Sequence, residues 1–195
     1  GAYSAYYRVT RNGAVLPNIG DAAGSRQRAS TGGFSDYYQY VYGLANSYSA
    51  SETYCSSINM TTESGRTHDS NWDLKSSRVN HVAIMNSTLS MAYITAGNTT
   101  ATDKHNYVTE VMMVAGSVGS NPATSGGTGA GIAALFGEFR GWIAVNSTAA
   151  YIDWATETWT SGTWSSGADG QPKGLSSKLG YGYCATGSYG GSATY

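Results

Sequence analysis

Apolar and polar positions along this chain alternate in short runs with a period of two, broken by Gly-, Asn- and Ser-rich stretches. That is the pattern of half-buried strands joined by turns. Residues 2–10 read as a strand with Tyr3, Tyr7 and Val9 on one face and Tyr6 and Arg8 on the other. Asn12-Gly13 marks a hairpin turn, because both residues tolerate positive φ, and residues 14–19 return, with Pro17 favouring an edge position. Residues 20–33 read as a polar loop. The clearest strand covers 34–44. Its two faces carry Tyr38, Tyr40 and Tyr42 against Tyr37, Gln39 and Val41, as expected for a strand covered on both sides. Further strands are expected over 50–62, 77–85, 89–95, 107–114, 149–164 and 179–189. Residues 63–75, 96–104, 116–131 and 167–174 read as loops.

One segment follows a different period. Ile132, Leu135, Phe136, Phe139, Trp142 and Ile143 fall at i, i+3, i+4, i+7, i+10 and i+11, which predicts one face of an amphipathic helix over about residues 130–145. Gly137 and Gly141 weigh against it by about 1 kcal/mol each relative to alanine. No internal repeat of fixed period is evident. The expected fold is mainly β, an antiparallel β-sandwich or barrel with that one helix. Residues 1–28 form a basic, strand-like N-terminal arm open to exchange with a neighbour, and residues 29–195 form a single β-rich globular domain.

Composition places this fold in a particular environment. Charged residues are only 12% of the chain, about half the usual share. Gly, Ser, Thr and 16 Tyr replace them, so the surface is wetted by hydroxyls and amides. Secreted β-proteins, surface-layer subunits and coat proteins have such surfaces more often than cytosolic enzymes do. The net charge of −1 provides no general field for nucleic acid, which leaves nucleic acid a partner only inside a coat. The arm is the exception, with Arg8, Arg11, Arg26 and Arg28 against Asp21, four positive charges less one. Cys55 and Cys184 form no CxxC motif, and in an oxidising compartment a single cystine between them would staple the early chain to its end. No run of 18 apolar residues is present to span a membrane. The chain opens at Gly1 without a signal-like stretch, which reads as a processed form.

Candidate chemistry is sparse. The G-x-S-x-G elbow, HExxH, the phosphate-cradling glycine loop and the dinucleotide fingerprint are all missing, so no cofactor is expected. His68, His81 and His105 are unpaired in sequence, and the cluster around His68, Asp69 and Asp73 lacks the glycine and distal glutamate of a calcium loop. Glu110, expected within the strand over 107–114, and Glu157, between Trp154 and Trp159, are the only carboxylates placed to suit glycoside hydrolysis, and nothing in the sequence pairs them. Asn59, Asn86, Asn98 and Asn146 each begin an N-x-Ser/Thr acceptor for N-glycosylation. Trp154, Trp159 and Trp164 are candidates for stacking on sugars.

Three functional classes remain, in order. The first is a structural subunit of an extracellular filament, surface layer or viral coat. It would assemble with copies of itself through the arm residues Tyr3, Tyr6, Tyr7, Arg8 and Val9. The second is a secreted carbohydrate-binding module, and the third a glycan-active hydrolase. The location expected is extracellular or at the cell surface, or else in a virion.

Overall fold

The computed structural model describes residues 3–9, 15–26, 30–34, 38–42, 53–62, 64–65, 70–78, 81–86, 89–96, 99–114, 132–145, 148–163, 171–178 and 181–187. Strands β1 (Tyr3–Val9) and β2 (Val15–Arg26) make an antiparallel hairpin. Sheet 1 follows, from β3 (Ser30–Phe34), β4 (Tyr38–Tyr42), β5 (Ser56–Asn59) and β6 (Ser64–Gly65). Sheet 2 contains β7 (Val82–Asn86), β8 (Met91–Thr95), β9 (Asp103–Asn106) and β10 (Val111–Val114). Sheet 3 contains β11 (Ile132–Phe136), β12 (Arg140–Val145), β13 (Thr148–Asp153) and β14 (Thr158–Thr163). A final hairpin pairs β15 (Gln171–Lys178) with β16 (Tyr181–Gly187).

The protein is therefore mainly β and antiparallel. Its described strands form five separate open sheets, three of them four-stranded meanders in which each strand pairs with the next in sequence. The first strands of successive sheets lie side by side: β3 against β7, β7 against β11, and β11 against β15. The basic N-terminal segment extends as β1 and β2, and β2 lies against β5 and β6.

Packing between the sheets creates two cores. Between sheets 1 and 2 lie Tyr40, Tyr42, Cys55, Trp72, Leu74, Met85, Ala92, Ile94, Tyr107 and Met112. Between sheets 2 and 3 lie Ile84, Tyr93, Ala96, Ile143, Ala150, Ile152 and Trp154. Successive residues of β7 and β8 thus enter different cores, Ile84 and Tyr93 one and Met85, Ala92 and Ile94 the other, as the two-residue period requires.

The expected helix over 130–145 is not formed. Those residues make the β11–β12 hairpin, with Ile132 opposite Val145, Leu135 opposite Trp142 and Phe136 opposite Gly141. The apolar residues resembled a helical face because successive as well as alternate positions of these strands are apolar in sequence, which erases the alternation. Among the described residues there is no α-helix, only one 3₁₀ turn at Ser70–Trp72. Other boundaries also shift. The loop expected over 20–33 holds the end of β2 and the start of β3, the turn over 96–104 leads into β9, and the loop over 167–174 leads into β15.

Gly141 shows how closely sheets 2 and 3 approach. A Cβ built there would lie 2.5 Å from Cη2 of Trp154 and 2.8 Å from Cδ1 of Ile84. Gly141→Ala is expected to destabilise the fold by about 1–3 kcal/mol through overpacking. Urea denaturation checks this, and an unchanged midpoint would show that the seam can relax around a methyl group.

Candidate functional site

The polar groups that sequence reasoning set aside lie in the seams between sheets. At the end of the third strand of each four-stranded sheet an Asn or Asp opens a tight turn. Asn59 Oδ1 accepts from the backbone N–H of Thr61 and Thr62, both at 2.9 Å. Asn106 Oδ1 accepts from Val108 and Thr109, both at 3.0 Å. Asp153 Oδ1 accepts from Ala155 at 3.0 Å and Thr156 at 3.3 Å. These are Asx turns, in which a short polar side chain caps its own loop. Asn59, Asn106 and Asp153 stand 47 residues apart, and each begins the pattern Asx-x-x-Thr-Glu: Asn-Met-Thr-Thr-Glu, Asn-Tyr-Val-Thr-Glu and Asp-Trp-Ala-Thr-Glu. The chain thus has the fixed period that its composition hid.

In the second and third of these turns the closing glutamate reaches across the seam. Glu110 does not lie inside a strand as expected; it and Glu157 are the last residues of their turns, at φ 57° and 50°. That left-handed region is unfavourable for a side chain with a Cβ. Each carboxylate is held from the preceding sheet. The Tyr40 hydroxyl of β4 donates to Glu110 Oε1 at 2.9 Å. The Tyr93 hydroxyl of β8 donates to Glu157 Oε1, which also pairs with Lys104 Nζ. Burial first, and Glu157 second, push the Tyr93 phenol well above its ordinary pKa, so it stays a donor. The two carboxylates serve different seams, and the facing pair needed for glycoside hydrolysis is not formed between them.

Histidines and one ion pair complete the buried polar set. His105, in β9, sits edge-on to the Tyr40 ring at 4.7 Å, and its Nδ1 lies 2.7 Å from the Tyr42 hydroxyl. His81 Nε2 donates to the Tyr42 carbonyl at 2.9 Å. Among the described residues, Nε2 of His105 and Nδ1 of His81 find no hydrogen-bond partner. Burial is the main cause that lowers both imidazoles to about 4, so both are neutral at pH 7. Arg78 and Asp103 pair at 3.4 Å with both side chains fully buried. Arg78 also donates to the Ala101 carbonyl at 3.0 Å, and Ser76 N–H donates to Asp103 at 3.0 Å. Desolvation lowers the guanidinium and raises the carboxyl, while each partner's charge opposes that shift.

An open cavity of about 300 Å³ lies where three turns meet, lined by Asn86, Leu89, Glu138, Phe139, Asp153, Trp154 and Ala155. Trp154 is buried there, its indole N–H donating to the Gly137 carbonyl at 2.9 Å. Leu89 is 45% and Phe139 63% exposed, so both present apolar surface at its mouth. Asp153 Oδ2 faces Arg140 Nε at 3.5 Å, and the Arg140 guanidinium lies 4.5 Å over the Tyr151 ring. Sequence reasoning missed this cavity because it expected Phe139 on a buried helical face. Its place between Glu138 and Arg140, flanked by Gly137 and Gly141, was the available sign of an exposed hairpin tip.

The other expected site residues fall as follows. Trp154 stacks on Tyr93 at 5.3 Å and Trp159 donates to Thr102 Oγ1 at 3.2 Å, so both are committed inside the chain. Asn86 is buried, with Oδ1 accepting from the Leu89 N–H at 3.2 Å, and a glycan there would have to open that turn. Asn59 is half-buried in its Asx turn. Cys55 is buried, its thiol donating to the Thr53 carbonyl at 3.4 Å. The side chain of Cys184, its expected bridge partner, lies outside the described residues, as do the side chains of Tyr3, Tyr6, Tyr7, Arg8 and Val9. Asn98, Asn146, Trp164, His68 and Asp69 lie outside them altogether. Asp73 Oδ1 accepts from Cys55 N–H at 3.3 Å, and no group of three metal-ligating side chains gathers among the described residues.

No family model matches the chain, and no curated protein matches it. Among solved structures it is similar to that of YjhT, with a TM-score of 0.65 and 16% identity, covering 85% of this chain and 61% of that one. The chain therefore spans about three-fifths of the length of YjhT, and at this identity the likeness concerns the fold alone.

The buried histidines generate a pH dependence. Their folded pKa values are depressed below the ordinary 6.5, so the unfolded chain binds protons that the folded chain refuses. Stability is therefore fully present above about pH 6.5 and is lost as pH falls toward 4, by about 2 kcal/mol per histidine between pH 7 and 5. Denaturant titrations across that range should show the loss, and His105→Gln should roughly halve its slope. A profile flat from pH 7 to 5 would mean the imidazoles stay hydrated.

Proposed function

We propose that this chain is a structural subunit that assembles with copies of itself in an extracellular filament, a surface layer or a viral coat, and that its sheets are an arc of propeller-type blades. The observation that supports this reading most is the 47-residue recurrence of the Asx-x-x-Thr-Glu turn, whose glutamate takes a hydroxyl from the preceding sheet. Sheet 2 both offers a donor, Tyr93, and receives one, at Glu110, so units of this kind add to one another without any new chemistry. Trp142, opposite Tyr151, holds in sheet 3 the place that Tyr40 and Tyr93 hold in sheets 1 and 2, opposite Ser57 and Lys104. It continues the series of ring-bearing positions. The carboxylates that would have served a hydrolase are employed in holding sheets together. The low-charge, hydroxyl-rich surface fits close packing of copies.

A second reading has its own observation. The cavity beside Phe139 joins an exposed aromatic face to the amide of Asn86 and the carboxylates of Glu138 and Asp153, a combination suited to a sugar ring and its hydroxyls. In this reading the carbohydrate-binding surface is Phe139, not the tryptophans.

Electron microscopy and sedimentation of native protein decide the first reading, with polymers or shells expected and a clean monomer at high concentration counting against it. β1 pairs with β2 on one side only among the described strands, and deletion of residues 1–10 is expected to leave a folded chain that no longer polymerises. A glycan array tests the second reading: binding that Phe139→Ala abolishes supports it, and an array without any binder sinks it.

A further inference from the structure

We infer that the two end hairpins of this chain are complementary halves of one four-stranded sheet, joined when β16 of one copy pairs with β1 of the next. This joint rests on the self-assembly reading above and names the strand that receives the arm.

Position in the stack identifies each half. In every complete sheet the chain runs from the first strand to the fourth and then enters the first strand of the next sheet. β2 leads into β3 in this way, and it lies against β5 and β6, the third and fourth strands of sheet 1. β2 is therefore a fourth strand and β1 a third. The 47-residue period agrees. Asn12 stands 47 residues before Asn59 and falls between β1 and β2, where a turn from third to fourth strand belongs, although the Thr-Glu of the later turns does not follow it. At the other end β15 lies against β11, as β11 lies against β7, so β15 is a first strand and β16 a second. Tyr183 is the third residue of β16, as Tyr40, Tyr93 and Trp142 are the third residues of the second strands β4, β8 and β12.

Each half lacks what the other provides. β1 has no second strand beside it and β16 no third, since among the described strands β1 pairs with β2 alone and β16 with β15 alone. The two hairpins lie against opposite ends of the series of sheets, β2 against sheet 1 and β15 against sheet 3. One copy therefore leaves both halves open, and a second copy supplies the missing strands to each. The joined sheet has the order β15-β16-β1-β2, antiparallel throughout, which is the order of the complete sheets. β1 and β16 are both seven residues long, so their backbone ladder can run the full length of each. The contact also extends beyond an edge. Among the described strands β3 has another first strand, β7, on one side only, and β15 of the neighbouring copy takes the other side. Sheet-face burial is thereby added to the ladder. The contact is head-to-tail, so its repetition gives a ring where the rotation closes and a filament where it does not.

The test uses full-length protein. Hydrogen exchange on the unaltered chain is expected to slow at least about tenfold in β1 and β16 on assembly, and to stay unchanged in β14, a fourth strand with its partner already in place. Two cysteine preparations then locate the joint. Both carry Cys55→Ser, which keeps a donor for the Thr53 carbonyl. One retains Cys184; the other carries Cys184→Ser with Ser4→Cys, Ala5→Cys, Tyr6→Cys or Tyr7→Cys. Mixed and mildly oxidised, they are expected to form a mixed disulfide that neither forms alone. Its yield should peak at one β1 position and fall at least about fivefold two residues away, because a bridge needs Cα atoms about 4.4–6.8 Å apart. Polymers in which β1 and β16 exchange as fast as in the monomer, with no mixed disulfide, would overturn the joined sheet while leaving self-assembly intact. Protection of both strands already in dilute monomer would show that the halves close within one copy, and would overturn the pairing between copies. A parent that stays monomeric at every concentration, with neither strand protected, would overturn both readings.

Discussion

Sheet 2 is apolar on both faces, and a sheet of that kind has no stable existence in water by itself. Ile84 and Tyr93 must be covered from one side and Met85, Ala92 and Ile94 from the other. No α-helix is formed among the described residues, so the covering comes from further sheets of the same design, with Trp72 of the 3₁₀ turn added on one side. The meander topology, the side-by-side first strands and the two separate cores all follow from that requirement. Interleaving is close enough at Gly141 that the absence of a side chain becomes a condition of assembly, with Trp154 occupying the space a Cβ would need.

Apolar burial alone does not say which sheet lies beside which, or at what height. The buried polar groups supply that information. Tyr40 to Glu110 and Tyr93 to Glu157 are each satisfied at one sliding position of adjacent sheets. The Arg78–Asp103 pair contributes little net stability beyond offsetting its own desolvation, but any arrangement that separated its members would strand a charge in the interior. It joins the segment before β7 to β9 and, through the Ala96 and Ala101 carbonyls, to the loop between β8 and β9. Sheet 2 thereby has a fixed lead-in as well as fixed neighbours. The one-sided pairing of His105 and His81 belongs to the same interior, where the imidazoles are tolerated because they remain neutral.

The sequence made the β-rich class legible, because Tyr38, Tyr40 and Tyr42 alternate cleanly and the turns are rich in Asn, Gly and Ser. It obscured the β11–β12 hairpin for a physical reason: successive as well as alternate positions are apolar, so there is no two-residue contrast, and Ile132 through Ile143 fit a helix as well as a hairpin. The repeat was harder still. Its recurring element is a five-residue turn in which only Thr and Glu are constant, while the strands around it differ freely so long as they remain apolar. Glu157 was noticed between Trp154 and Trp159, and Glu110 was expected inside a strand, whereas it ends a turn. Their role depended on hydroxyls 70 and 64 residues earlier in the chain, distances at which no local pattern operates. The cavity at Phe139 was invisible for the same reason as the hairpin that creates it.

The left-handed backbone at Glu110 and Glu157 sets local and long-range stability against each other. Taken as isolated loops, both turns would gain from glycine, which adopts positive φ without strain. Any such gain would dissolve the bond to the preceding sheet, leaving a more comfortable turn and a looser partner. The chain keeps its tension at the joints, so that a turn which has not yet met its neighbour is the less stable one, and the bond made on docking is what offsets the strain. Slow hydrogen exchange in these turns would thus be a property of sheet pairs rather than of single sheets. Damage to one sheet should be felt first at the hairpin tip of the next, ahead of any loss in the strands between.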